Sequence, residues 1–479
     1  MKIAVIGGGP AGLTAAYKLS AKLNAGIETL DVYEASESVG GMARSIRLWD
    51  QVVDLGPHRF FSKDRRVNEL WLEVAGKEYG IVQRQTRIYY KHSFFSYPIR
   101  IFNALKGLGI IEAIRCSWSY FIQKIFPTKD TSTFEGWVTR RFGKRLYQIF
   151  FKTYSEKLWG IPCTELDSDF ASQRIKKMSF IEAIKNALYS SSAQVHATLV
   201  DQFAYPFNGS GSIYTRMKEI IEKRGGIIHL STPVEKVLVE NGAAKGLVLE
   251  NGQELLYDHI ITTMPISLLV NRMDGVPEPI KEKASMLRFR NTILVYLRIA
   301  QPELFKDQWL YIHDNSVETG RISNYRNWVP QLYGESDETI LCMEYWCNFE
   351  DSLWKEDDEK LGKLAGDELT RIGLAKKEDI IDTHVFRIPR CYPVYFKNYR
   401  ESLQPVEEFL ATIGRLHVIG RYGAYKYNNQ DHSILMGLLA AENILEGTSH
   451  QLWDINTDYE EYQESTSITE TGLVSGSGN

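Results

Sequence analysis

The sequence predicts an α/β fold in which a parallel-sheet domain is interrupted by two insertions, and three observations predict it. The apolar run Ile3-Ala4-Val5-Ile6 passes directly into Gly7-Gly8-Gly9-Pro10-Ala11-Gly12 and then into a helical pattern over Leu13–Leu23. Residues 95–200 carry apolar side chains at helical spacing. Residues 201–404 are dominated by short strand signals, after which Leu416–Leu445 reads as strand, glycine, loop and helix again.

The first run reads as a buried parallel strand. The glycines that follow have separate duties: Gly7 allows the tight turn, Gly9 lets a pyrophosphate approach the backbone, and Gly12 lets helix and strand pack closely. Pro10 and Ala11 lie within this glycine motif, and the helix N-terminus that follows offers free N–H groups and a dipole end to phosphate. A second strand, Glu28–Tyr33, ends at Glu34, 22 residues after Gly12, where a carboxylate holds a ribose hydroxyl. This is a Rossmann-like start. Gly40-Gly41, followed by Met42 and Ala43, adds a pair that a nicotinamide domain does not need. The whole pattern resembles the FAD-binding start of the large flavoprotein oxidoreductase group, so FAD is the expected cofactor.

A chain of 479 residues exceeds one hydrophobic core, so two or three domains are expected. With 44% hydrophobic and 24% charged residues it falls among globular proteins, and a net charge of −4 implies no broad attraction to nucleic acid or to an anionic membrane. Five scattered cysteines without a C-x-x-C pair fit a reduced, cytoplasmic setting, and Cys342 and Cys347 read as core thiols without a metal. The chain opens on a strand instead of a signal peptide, and no apolar run is long enough to cross a membrane. Phe94–Phe126 is apolar but interrupted by Arg100, Lys106, Glu112, Arg115 and Lys124. Membrane insertion is not expected there; a packed helical face is the reading preferred over membrane-surface binding.

Further along, Gly56-Pro57 turns the chain and displays His58. Ser132-Thr133-Phe134-Glu135 reads as a capping box. Asn241-Gly242 and Asn251-Gly252 are hairpin turns. Strands are expected at Ile260–Met264, Thr292–Ala300, Trp309–His313, Thr339–Tyr345 and Asp382–Arg387, a helix at Lys360–Ile372, and a polar loop at Tyr422–Ser433. Residues 465–479 read as a disordered tail. The predicted domains are a discontinuous FAD-binding domain (1–94, 201–290 and 405–450), a helical insertion (95–200), a β-rich substrate domain (291–404) and a C-terminal extension (451–479).

Several stretches resemble the UDP-galactopyranose mutase family, closest to its eukaryotic branch. Gly56-Pro57-His58-Arg59-Phe60 is similar to its Gly-Pro-His-x-Phe motif. Gly420-Arg421-Tyr422-Gly423-Ala424-Tyr425-Lys426-Tyr427, with Asn429-Gln430-Asp431-His432-Ser433, resembles its C-terminal signature. Lys157–Pro162 with Arg174, and Trp309-Leu310-Tyr311 with Arg321 and Asn324-Tyr325, resemble its substrate segments. The resemblance implies FAD in its reduced form, with NADPH a candidate reductant, and a nucleotide-diphosphate hexose as substrate. It implies interconversion of pyranose and furanose rings through an adduct of the sugar with flavin N5.

On that resemblance the catalytic set is His58, Arg174 and Arg321. The two arginines suit a diphosphate, and His58 positions the flavin. Tyr97, Arg100, Trp159, Tyr311, Tyr325, Tyr392 and Tyr427 join the arginines in the substrate set. Gly7, Gly9, Pro10, Ala11, Gly12, Glu34, Gly40, Gly41, Met42, Ala43, Gly56, Pro57, His58, Val234, Gly420, Arg421, Asn429, Gln430, Asp431 and Ser433 are assigned to FAD. The uridine clamp of the eukaryotic branch, Tyr-Pro-Phe-Gln, reads Tyr97-Pro98-Ile99-Arg100 here, which leaves base and sugar open. A homo-oligomer is also left open. The second reading is a flavin oxidase of the amine-oxidase or protoporphyrinogen-oxidase type, which shares the N-terminal fingerprint. An oxidase would show an apolar or aromatic-caged cavity.

Overall fold

A computed structural model describes residues 1–97, 107–174, 202–455 and 466–475. The fold is α/β, with a parallel-sheet domain joined to a large mixed sheet. Five parallel strands form the first sheet, in the order Leu416–Val418, His259–Thr262, Lys2–Ile6, Thr29–Tyr33 and Ile227–His229. Strands from both ends of the chain therefore share one sheet. The central strand is buried on both faces, as a parallel sheet covered by helices requires.

The helix Pro10–Ser20 begins three residues before the expected Leu13, because Pro10 supplies helical φ at the first position. A Cβ on Gly12 would stand 2.0 Å from the Gly7 carbonyl oxygen, so only glycine lets this helix press onto the strand. Gln430–Glu446 packs alongside it, and Leu13, Ala16, Ile434 and Leu438 share one core. This long helix starts inside the stretch expected to be a polar loop, and Gly420–Gly423 is also helical. The polar residues there form a helix opening because Asn429 takes the extended cap conformation.

The second sheet has seven strands, in the order Ile380–Pro393, Phe289–Ile299, Thr339–Cys347, Arg321–Asn324, Trp309–Ile312, Thr86–Tyr90 and Ser93–Ser96. Every pair is antiparallel except Trp309–Ile312 with Thr86–Tyr90. The last two strands place residues 86–96 in this sheet, whereas the sequence assigns 1–94 to the nucleotide domain and 95–200 to the helical insertion. Their side chains complete its buried face, with Ile88 and Phe95 in the core. A three-stranded meander, Val234–Glu240, Ala243–Leu249 and Glu254–Leu256, turns at Asn241-Gly242 with φ of 52° and 73°, the left-handed pair a tight hairpin demands.

In the helical insertion the N-cap is Thr133, whose Oγ1 accepts from Gly136 N at 3.2 Å. The capping box is thus incomplete: Glu135 instead accepts from the Tyr147 hydroxyl at 2.9 Å. The expected disordered tail is also corrected. Thr466–Thr469 and Gly472–Ser475 pair as a hairpin, and Tyr79 donates to the Thr469 carbonyl at 2.9 Å. Ile468 packs against the first core and anchors that hairpin. Among the described residues no helix is long and apolar enough to cross a membrane.

Candidate active site

The glycine loop and the Gly40-Gly41 segment are pinned together. Gly40 N donates to the Gly8 carbonyl at 2.8 Å. A Cβ on Gly41 would lie 3.1 Å from Gly9 Cα, so a side chain at Gly41 would crowd the glycine loop. Glu34 stands at the end of its strand and accepts from Gly8 N at 2.6 Å and from Ser36 N and Oγ at 2.8 and 2.6 Å. Its carboxylate is thereby aimed at the glycine loop, where a ribose approaches. Met42 and Ala43 continue this wall, with Met42 Sδ 3.9 Å from Cys391 Sγ.

Gln430 ties the two ends of the chain. Its Nε2 donates to the His58 carbonyl at 3.1 Å, while its Oε1 accepts from the Tyr214 hydroxyl at 2.7 Å. The loop of Gly56, Pro57 and His58 is held in place by this bridge. Asp431 and Ser433 are buried in the same first turn, and Asn429 closes it by accepting from Ser433 N at 3.2 Å. Gly420 packs against Ala11 and Thr263. Val234 lies at the edge of the meander, and its carbonyl is engaged by Arg272 Nη1 at 3.0 Å.

Burial, with Arg321 and Arg421 nearby, pushes the His58 imidazole down to about 3, so it is neutral near pH 7. Among the described residues its Nδ1 is buried without a partner, as are Arg421 Nε and Nη2, Arg44 Nε and Asn428 Oδ1. Buried polar groups are rarely left so. Here they follow the Gly40-Gly41 wall and the C-terminal signature, and they match the phosphates, hydroxyls and ring carbonyls of FAD. The residues present fit that cofactor.

The second half of the site is built around Arg321. Its Nε and Nη2 both contact Glu344 at 2.5 Å, and Nη2 reaches the Tyr392 hydroxyl at 3.3 Å. The two residues are direct cross-strand partners, and Glu344 is 1% exposed. Burial works against the Arg321 charge, but Glu344 holds the guanidinium ionised. Five N–H donors are available to an arginine, and among the described residues none of these bonds uses Nη1. Tyr392 stacks on Tyr427 at 5.4 Å, and Arg421 lies over both rings at 4.7 and 4.5 Å. Trp159 meets Tyr427 edge-on at 5.8 Å and Tyr392 at 6.3 Å.

Tyr311 is brought to the same wall. Its ring lies 4.7 Å from Tyr97 and meets Tyr154 edge-on at 5.4 Å. Tyr154 in turn stacks on His313 at 5.1 Å and meets Trp346 at 5.6 Å. Tyr325 departs from the expectation. Its hydroxyl donates to the Asp54 carbonyl at 2.6 Å and the ring is 2% exposed, packed near Trp328. That proton is committed to the core and does not reach a ligand. Arg174 ends the helix Ser168–Arg174, but its side chain lies outside the described residues, as do Ile99 and Arg100.

Sequence reasoning missed Glu344, Tyr154, His313, Trp346 and Asp54. A signal for Glu344 exists: it is the one acid in the otherwise apolar run Thr339–Cys347. Asp54 accepts from Ser45 Oγ, Tyr205 OH and Ser210 N at 2.5, 2.7 and 3.1 Å. Burial nevertheless raises its carboxyl to about 7, against these hydrogen bonds. Its backbone oxygen also accepts from Tyr296 at 2.8 Å, so Asp54 joins the seven-stranded sheet to Ser45, Tyr205 and Ser210.

A sequence profile described as flavin containing amine oxidoreductase matches residues 10–445. The chain is 22% identical over 467 residues to a coproporphyrinogen III oxidase of Staphylococcus aureus, covering 92% of this chain and 98% of that protein. It is 25% identical over 299 residues to a coproporphyrinogen III oxidase of Bacillus subtilis, covering 57% of this chain and 62%, under two thirds, of that one. A crystal structure of reduced UDP-galactopyranose mutase superposes with a TM-score of 0.83 at 22% identity, over 95% of this chain and 96% of that chain. At that identity the likeness is one of fold.

Proposed function

This chain belongs to the flavin containing amine oxidoreductase family, an FAD-dependent group, and from that premise we propose that it is a mutase. Its substrate is a nucleotide-diphosphate hexose resembling UDP-galactose, and its reaction interconverts the pyranose and furanose rings. The observation that carries the reading is the polar character of the Arg321 wall. Arg321, Arg421 and the Tyr392–Tyr427 stack share one buried cluster. Two buried guanidinium groups at that place suit an anionic ligand and have no use in a cavity for an apolar one.

In this reading FAD, when bound, supplies the reactive ring in its reduced state. The protein binds and orients. Arg321 offers Nη1 to the diphosphate while Glu344 fixes the plane of its guanidinium. Arg174 is proposed as the second cation on the sequence resemblance alone. Tyr311, Tyr392 and Tyr427 offer hydroxyls, and Trp159 closes the cavity against water. Neutral His58 holds the ring edge through Nδ1 and moves no proton.

The test is direct. Dithionite-reduced enzyme is incubated with UDP-galactopyranose and, separately, with other UDP- and dTDP-hexoses, and a furanose product is sought. Absence of furanose from every substrate overturns the proposal. The second reading, a porphyrinogen oxidase, is favoured by the two named relatives. It requires that the oxidised enzyme convert coproporphyrinogen III to its fluorescent porphyrin under air.

A further inference from the structure

Among the described residues none covers the apolar face of the helix Ile110–Ile125, and we propose that this face docks on an anionic phospholipid surface. The helix is fastened to the protein by its opposite side, where Cys116 and Tyr120 are buried. At 100° per residue, Ile110, Ile111, Ile114, Trp118, Phe121 and Ile125 fall within about 100° of arc. These side chains are exposed: 80% for Ile110, 68% for Trp118, 60% for Phe121 and 69% for Ile125. Phe126 continues the patch at 74%. Large exposed apolar residues elsewhere in the described chain are scattered, whereas here they are contiguous. The packed helical face expected from the sequence is therefore only half packed.

Charge identifies the occupant. On the same helical projection Lys124 and Arg115 flank the apolar arc, one at each edge, about 40° outside it. Long basic side chains so placed reach toward headgroups while their stems lie on the apolar surface. Beside Arg115, a cavity of about 320 Å³ is lined by Arg115, Ser119, Lys144, Arg145 and Gln148. Glu112 orders two of these cations, Arg115 and Arg145, at 2.6 and 2.7 Å. Residues 110–152 hold eight Lys and Arg against three Asp and Glu, although the whole chain carries −4. A second copy of the chain would bring one basic rim against another. Nucleic acid would leave the isoleucines and Phe121 in water. An anionic bilayer takes both features at once: acyl chains under the apolar arc and phosphate in the basic cavity.

The helix lies flat on this surface. Its 16 residues span roughly 24 Å, short of the ~30 Å hydrocarbon core. The same insertion continues into Thr153–Trp159, which carries Tyr154 and Trp159 of the site wall.

The experiment is vesicle flotation of the full-length, FAD-loaded protein. Vesicles of phosphatidylcholine alone are compared with vesicles containing about 30% phosphatidylglycerol. The wild type is expected to float with the anionic vesicles and poorly with the neutral ones. The triple variant Trp118→Gln, Phe121→Gln, Ile125→Gln should lower the bound fraction by about tenfold. Lys124→Glu with Lys144→Glu should abolish the preference for anionic lipid, and it carries the test should the triple variant misfold by circular dichroism. Wild type that stays at the bottom of the gradient, or floats equally as either variant, overturns the proposal. A dimer in vesicle-free buffer that the triple variant converts to monomer also overturns it, in favour of a second copy on this face.

Discussion

Replacing Glu344 by Gln should do two opposite things to this protein. Glu344 is buried, and its carboxylate neutralises Arg321 through two contacts of 2.5 Å. Removing one partner of a buried ion pair leaves a charge without compensation and is destabilising by about 3–5 kcal/mol. Glutamine keeps the volume and one acceptor, so the lower part of that range applies. On the proposed function, an incoming diphosphate then becomes the new counter-ion of the stranded guanidinium. A hydrogen bond to a charged group contributes about 1.5–3 kcal/mol, so UDP should bind on the order of tenfold to a hundredfold more tightly. Arg321→Met, by contrast, strands Glu344 and repels the ligand, so it should lose stability and UDP binding together. Denaturant unfolding followed by tryptophan fluorescence reads the first quantity, and isothermal titration with UDP reads the second. Glu344→Gln with wild-type stability, or with UDP binding no tighter than wild type, would refute the reasoning.

Glu34→Ala should lower FAD retention on gel filtration by about 1.5–3 kcal/mol in binding, the contribution of a charged contact to ribose, while leaving Arg321 and UDP binding intact. Asp54 should make the fold sensitive to pH. Its carboxyl is raised in the folded chain to about 7, so between its ordinary range near 4 and 7 the folded state binds more protons than the unfolded one. The resulting stabilisation is fully present below about pH 4 and is lost as pH rises through about 7, a change on the order of 4 kcal/mol for one fully buried group. Asp54→Asn should flatten that slope in unfolding curves between pH 5 and 8, and a slope unchanged by the substitution would reject the assignment.

The nucleotide domain was legible because its signals are local. Strand, glycine loop and helix follow one another within twenty residues, and each glycine answers a steric demand that the sequence states by itself. Asn241-Gly242 was legible for the same reason. The Arg321 wall was legible only in part. Arg321 and Glu344 lie opposite each other on adjacent strands, and strand periodicity says which face a residue takes, not which residue it meets. Tyr325 looked like a ligand tyrosine beside Arg321, yet its partner is the Asp54 carbonyl, 271 positions away. The helix Ile110–Ile125 shows a third limit. Its amphipathic spacing was plain, but spacing does not reveal whether the apolar side is covered.

The bond from Gln430 to the His58 carbonyl spans 372 positions. A ribosome adds about 5–20 residues per second, so roughly 20–75 s separate the emergence of these two groups. Throughout that interval the N-terminal glycine loop exists without the long C-terminal helix that covers it, and the central sheet without its edge strand Leu416–Val418. The cofactor cradle is therefore a late, post-synthetic product of this chain. Any transcript cut short before codon 430 yields a protein with its fingerprint intact and no pocket to use it.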